Sequence, residues 1–241
     1  MKHLSTAIST DLDNLACVVL FDIDGTLVTG PKQKQSAGVR AMDAASRAVS
    51  GKPSPFLGAD YAGRTDRQIA RMILVHTGIA SPTPLEVDML LSHYIRTLEK
   101  EIAHHPFRLI GRPREAVHRL RTLGAIVGLG TGNVRAGAHL KLSSAGIADL
   151  FDFENGGFGE DGEIRSTLLE NGARMLNPSR DLPVVIIGDT PHDVDGAKGM
   201  GARVIGVPFG KYDRTDLEVA GADAVIAEID HTIVDVVRNL I

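Results

Sequence analysis

Three apolar runs punctuate this chain, and each breaks off in a polar cluster. Cys17-Val18-Val19-Leu20-Phe21 gives way to Asp22-Ile23-Asp24-Gly25-Thr26-Leu27. Ala125 to Gly130 ends in Thr131-Gly132-Asn133, and Pro183 to Gly188 ends in Asp189-Thr190-Pro191-His192-Asp193. Short β-branched runs that are apolar throughout read as strands buried on both faces of a parallel sheet. Apolar positions at helical spacing predict helices over 113–123, 136–145, 167–176, 194–200 and 232–240, with further short strands over 150–153, 203–207 and 224–226. Strands and helices alternating in this way indicate an α/β fold, a Rossmann-like parallel sheet with helices on both faces.

About a hundred residues separate the first two runs, too many for one crossover helix. Val39, Met42, Ala45 and Val49 form one helical stripe; Ile69, Met72, Ile73 and His76 form a second; 85–102 carries a third. These predict a small inserted subdomain of three helices. Pro31 and Pro106 mark its edges, giving an α/β core of 1–30 and 108–241 and a helical insert of 31–107. Pro113 suits the first turn of the helix that re-enters the core. Thr65 is placed to cap the second inserted helix. Met1 to Asn14 is polar and reads as a lead-in without the apolar stretch of a secretory signal.

Composition narrows the function classes. A chain of 241 residues, 43% hydrophobic, can bury a full core and still carry a subdomain. A net charge of -4 and a pI near 6.1, without clustered Lys and Arg, leave no basic footprint for nucleic acid. No segment approaches the roughly twenty apolar residues of a membrane span, so a cytoplasmic protein without membrane partners is expected. The single cysteine, Cys17, reads as a small buried hydrophobe, and no internal disulfide can form.

The chemistry gathers at the strand ends. Strand alternation places Asp22 and Asp24 on one side of the pleat with Ile23 on the other, so two carboxylates are expected to crowd one spot. Their repulsion predicts a bound divalent cation, a perturbed titration, or both. Asp-x-Asp-Gly is also the spelling of an ordinary turn or the start of a calcium loop, although the closing Glu of such a loop is missing. Thr131-Gly132-Asn133 offers a hydroxyl and backbone amides where a helix begins, which suits a phosphoryl group. Asp189 and Asp193 add two carboxylates at a third strand end. In an open parallel sheet such ends form one pocket. His104 and His105 point apart as sequence neighbours and read as hinge residues, and His192 reads as solvent-facing or as lying behind the site.

In motif order and spacing, the chain resembles the haloacid dehalogenase superfamily, specifically its phosphoglycolate phosphatase-like members with a helical cap. Motif one is Phe21 to Leu27, motif two Thr131-Gly132-Asn133, and motif four Gly188 to Asp193. The usual lysine of motif three is missing from Phe158 to Arg165, and Arg165 is assigned its cationic role. The resemblance implies a Mg2+-dependent phosphomonoester hydrolase acting on a small phosphorylated metabolite. Asp22 would be the nucleophile and Asp24 the general acid and base. Thr131, Gly132, Asn133 and Arg165 would bind the phosphoryl oxygens. The metal would be held by Asp22, the carbonyl oxygen of Asp24, Asp189 and Asp193. The insert becomes the cap, and Arg64 a candidate for a substrate carboxylate or phosphate oxygen. Phosphonate cleavage would need a cap lysine, and Lys52 and Lys100 match no motif for it. A sugar-phosphate mutase and a non-catalytic phospholigand binder are the alternatives. The substrate is expected to be a small phosphate ester, with oligomeric state open.

Overall fold

The computed structural model describes residues 14–31, 35–55 and 61–241. Most of the expected lead-in, and Gly58, Ala59 and Asp60 of the loop before Thr65, lie outside these residues. Five strands form one parallel sheet: β1 (Val18–Phe21), β4 (Ile126–Leu129), β5 (Val184–Gly188), β6 (Arg203–Gly206) and β7 (Ala224–Val225), in the order β4-β1-β5-β6-β7. Two residues on each side, β2 (Val28–Thr29) and β3 (Arg108–Leu109), pair antiparallel where the chain leaves the core and where it returns.

Alternation along β1 decides which helices cover which face. Val18 and Leu20 pack with Leu168 and Leu169 of α6 (Arg165–Leu176) and with Val194 and Ala197 of α7 (Pro191–Gly199). Val19 and Phe21 belong to the opposite face, with Ala116 of α4 (Pro113–Thr122), Leu142 of α5 (Arg135–Ser144) and Ile233 of α9 (Ile233–Arg238). The sheet is thus sandwiched, and its strand ends open between the two helical layers. Cys17 lies just before β1, wholly buried, and burial pushes its thiol up to about 11, as a packing residue rather than a nucleophile.

The inserted helices are α1 (Ala37–Ser50), α2 (Asp66–Thr77) and α3 (Pro84–His104). Their apolar stripes face one another, burying Met42, Ile69, Ile73, Leu90 and Leu98. Thr65 caps α2 through a reciprocal box, its side chain accepting from the Gln68 amide while Gln68 accepts from the Thr65 amide. His104 ends α3 and His105 follows it as the C-cap.

Two features depart from the sequence reading. The strand expected at 150–153 is absent: Ala148–Leu150 is a 3₁₀ turn, and Phe151 and Phe153 serve as packing residues. Phe151 meets Phe21 edge-on at 6.3 Å and Phe153 lies 6.4 Å from Phe158, so ring contacts organise the run in place of ladder hydrogen bonds. The backbone bridge beside Gly130 is made by Gly157 instead. An additional short helix, α8 (Arg214–Ala220), is held by a capping box of Asp213 with Asp216 and buries Leu217 against β6. No described helix is long and apolar enough to cross a membrane.

Candidate active site

The ends of β1, β4 and β5 deliver Asp22, Thr131 and Asp189 to one place, and α6 and α7 bring Arg165 and Asp193. Carboxylate oxygens of Asp22, Asp189 and Asp193 lie within 4.8 Å of one another, all three side chains buried. The single arginine among them is Arg165, whose Nη2 meets Asp22 Oδ1 at 2.8 Å, donates to the Gly130 carbonyl at 3.3 Å and pairs with Asp193. Its Nε is buried with no hydrogen-bond partner among the described residues. One guanidinium pairs with two of the three clustered carboxylates, Asp22 and Asp193, which leaves surplus negative charge. Burial pushes Asp22 up to about 6, opposed by Arg165 and reinforced by Asp193. Burial and then repulsion from Asp193, Asp22 and Asp24 drive Asp189 well above the usual carboxylate range. A hard, all-oxygen donor set with excess negative charge fits Mg2+. Asp193 is the most committed of the three, since its Oδ2 accepts from the Thr190 amide at 3.1 Å and hydroxyl at 2.7 Å while Oδ1 takes Arg165.

The Asp22 and Asp24 carboxylates take separate partners, although Asp24 is still among the groups that raise Asp22. Strand geometry stops at Phe21, and the chain then turns through Gly25 at φ +79°, where any Cβ would collide with the Asp189 carboxylate. Asp22 continues toward α6, whereas the Asp24 carboxylate swings to the α5 side. There its Oδ2 accepts from Lys141 Nζ at 2.6 Å and from Asn133 Nδ2 at 2.8 Å. Each acid of the Asp-x-Asp pair therefore has its own cation. Lys141 went unrecognised in the sequence, although Ala138, Lys141 and Leu142 share the buried face of α5, which was the available signal.

Thr131 is fully buried after β4, and its Oγ1 accepts from Asn133 Nδ2 at 2.9 Å. The Asn133 side chain thus serves Thr131, Asp24 and Lys141, not open solvent. Gly132 lies beside both Arg165 and the Arg64 backbone. A cavity of about 300 Å³ opens over these groups, bounded by Asp24, Met42, Arg64, Tyr94 and Tyr212. Arg64 therefore faces the same cavity as the acids. His192, half-buried, sits behind it against Gly63. Lys52 is not among the residues lining this cavity and donates to the Thr77 carbonyl at 2.6 Å.

Asp66 joins the inserted helices to the core: its amide donates to the Gly132 carbonyl at 2.7 Å, and its Oδ2 accepts from the Val134 amide at 2.9 Å. Burial raises it from 3.8 to about 6, opposed by Lys141 and the Val134 amide and aided by Asp24 and Glu160. An acid raised in the fold contributes stability that is fully present below about 3.8 and is lost as pH rises through about 6, at most about 3 kcal/mol. Asp66→Asn should accordingly lose less stability than the parent between about pH 4 and pH 7, as read by urea unfolding at both values. Parallel curves for the two proteins would contradict this.

Known proteins share this fold. A profile described as haloacid dehalogenase-like hydrolase matches residues 19–207. Among solved structures, a phosphonoacetaldehyde hydrolase-like protein from Oleispira antarctica is similar at 17% identity and a TM-score of 0.69, with 94% of each chain covered. A predicted phosphoglycolate phosphatase from Haemophilus somnus is similar at 17% identity and a TM-score of 0.65, covering 93% of this chain and 98% of its own. A hydrolase from Pseudomonas syringae gives 20% identity and 0.65, over 90% and 96%. No curated protein matches the chain. These likenesses carry the fold, while the profile spans all three strand-end motifs, and on that ground the chain belongs to the haloacid dehalogenase-like hydrolase family.

Proposed function

We propose that this protein is a Mg2+-dependent phosphomonoester hydrolase for a small metabolite, working through a phosphoryl group carried on Asp22. The observation that carries the reading is the division of labour at the end of β1. Asp22 is buried beside Arg165, which meets its Oδ1, and Asp24 faces the cavity with its side chain 46% exposed.

In this reading Asp22 attacks phosphorus, the ester P–O bond breaks, and the departing oxygen takes its proton from Asp24. Asp24 then accepts a proton from water, the resulting hydroxide attacks phosphorus, and the bond to Asp22 breaks to release phosphate. Arg165, the Thr131 hydroxyl and the amides of Gly132 and Asn133 bind the equatorial oxygens, whose charge must be stabilised throughout. Mg2+ would be held by Asp22, Asp189 and the Asp24 carbonyl oxygen, with Asp193 orienting the set, and would supply charge neutralisation for a carboxylate approaching a dianion. Residues 31–107 act as the cap over the α/β core of 1–30 and 108–241. The 300 Å³ cavity beneath them suits a small anionic ester such as phosphoglycolate, with Arg64 reading its second charge.

The test is phosphate release from a panel of small monoesters, phosphoglycolate included, with magnesium and with chelator. Release that requires magnesium and ranks small anionic esters highest is expected. Silence toward every ester would remove the hydrolase reading in favour of a mutase or a non-catalytic binder.

A further inference from the structure

Lys141 is a buried charge that the mechanism above does not use. Lys141 projects from α5 with only 6% of its side chain exposed, and a buried ammonium is costly unless it is paired. Its Nζ donates to Asp24 Oδ2 at 2.6 Å and to Asn133 Oδ1, while Asn133 Nδ2 donates to the same Asp24 oxygen at 2.8 Å. Lys141, Asn133 and Asp24 thus close a triangle of hydrogen bonds. The Tyr94 phenol, from cap helix α3, stands beside the same ammonium. These partners turn Lys141 toward Asp24 and Asn133.

Among the described residues, two donors converge on Oδ2 of Asp24 and none on Oδ1. This fixes the plane of the carboxyl group and leaves Oδ1 as the oxygen that can carry a proton into the cavity. We infer that Lys141 is a positioning residue that holds Asp24, through Oδ2, in the orientation needed to protonate the departing ester oxygen. The inference rests on the hydrolase reading. A 2.6 Å contact between two groups 117 residues apart in sequence, at the edge of the cavity, is what it explains.

An acid matters in proportion to how poor the leaving group is, so the experiment compares two esters on Lys141→Met. The readout is kcat/KM, which reports formation of the phosphorylated Asp22 and not its later hydrolysis. For an alkyl phosphate, whose alkoxide must be protonated, a loss of about a hundredfold or more is expected. For nitrophenyl phosphate, whose leaving group departs as a stable anion, the loss should stay within about threefold. The ratio of the two values within one preparation is independent of the fraction correctly folded, and Lys141→Arg supplies the same ratio if the Met variant is insoluble. Equal losses on both esters, or no loss on either, would overturn the positioning role while leaving the hydrolase reading intact. Parent protein inactive on both esters would instead overturn the hydrolase reading, and this inference with it.

Discussion

Asp22→Asn should abolish turnover, lowering phosphate release by on the order of 10⁴-fold or more, because an amide oxygen cannot replace the attacking carboxylate. The substitution is nearly isosteric and can keep an oxygen toward Arg165, so the fold should survive. Burial already disfavours the charged form of Asp22, so removing that charge should leave the melting temperature equal to or above that of the parent in the absence of metal. Loss of activity with retained stability separates chemistry from folding. Activity within tenfold of the parent, by the same phosphate assay, would mean that another group attacks.

The second large effect belongs to Arg165. Arg165→Met removes the guanidinium that serves Asp22 and Asp193 and leaves buried carboxylates facing one another. Breaking one side of such a buried pair costs about 3–5 kcal/mol, and removing a donor that stabilises transition-state charge costs about 10²–10³-fold in kcat. Magnesium should restore part of the lost melting temperature, and more of it than it adds to the parent, because the cation then offsets repulsion that the arginine no longer relieves. Arg165→Lys should recover stability better than turnover, since a point charge cannot reproduce the planar fork. A Met variant as stable and as active as the parent would show that Arg165 is peripheral.

Much of this architecture was legible because buried parallel strands are spelled as continuous apolar runs and their ends carry the chemistry. Val18–Phe21, Ile126–Leu129 and Val184–Gly188 could be located to within a residue or two for that reason. Phe151 and Phe153 misled because an apolar run does not say whether backbone pairing or ring packing organises it. Helix α8 has only Leu217 fully buried, too little periodicity to register, although Asp213, Asp216 and Gly221 mark its ends.

At the site, Asp22, Thr131, Arg165, Asp189 and Asp193 were recognisable as a group from motif order, and Arg64 is among the residues lining the same cavity. The direction of Asp24 was not recognisable, since it depends on where strand geometry stops and the turn at Gly25 begins. Nor was Lys141. A lysine is ordinarily a surface residue, and its partner Asp24 arrives from a strand end 117 positions away.

The most direct measurement of the central claim is transfer of labelled phosphoryl from a small monoester to the protein, quenched rapidly and mapped to a peptide. The expected result is acid-stable label on the peptide containing Asp22, formed by the parent in magnesium and absent from Asp22→Asn. Phosphate release by the parent without labelled protein, persisting in Asp22→Asn, would contradict it.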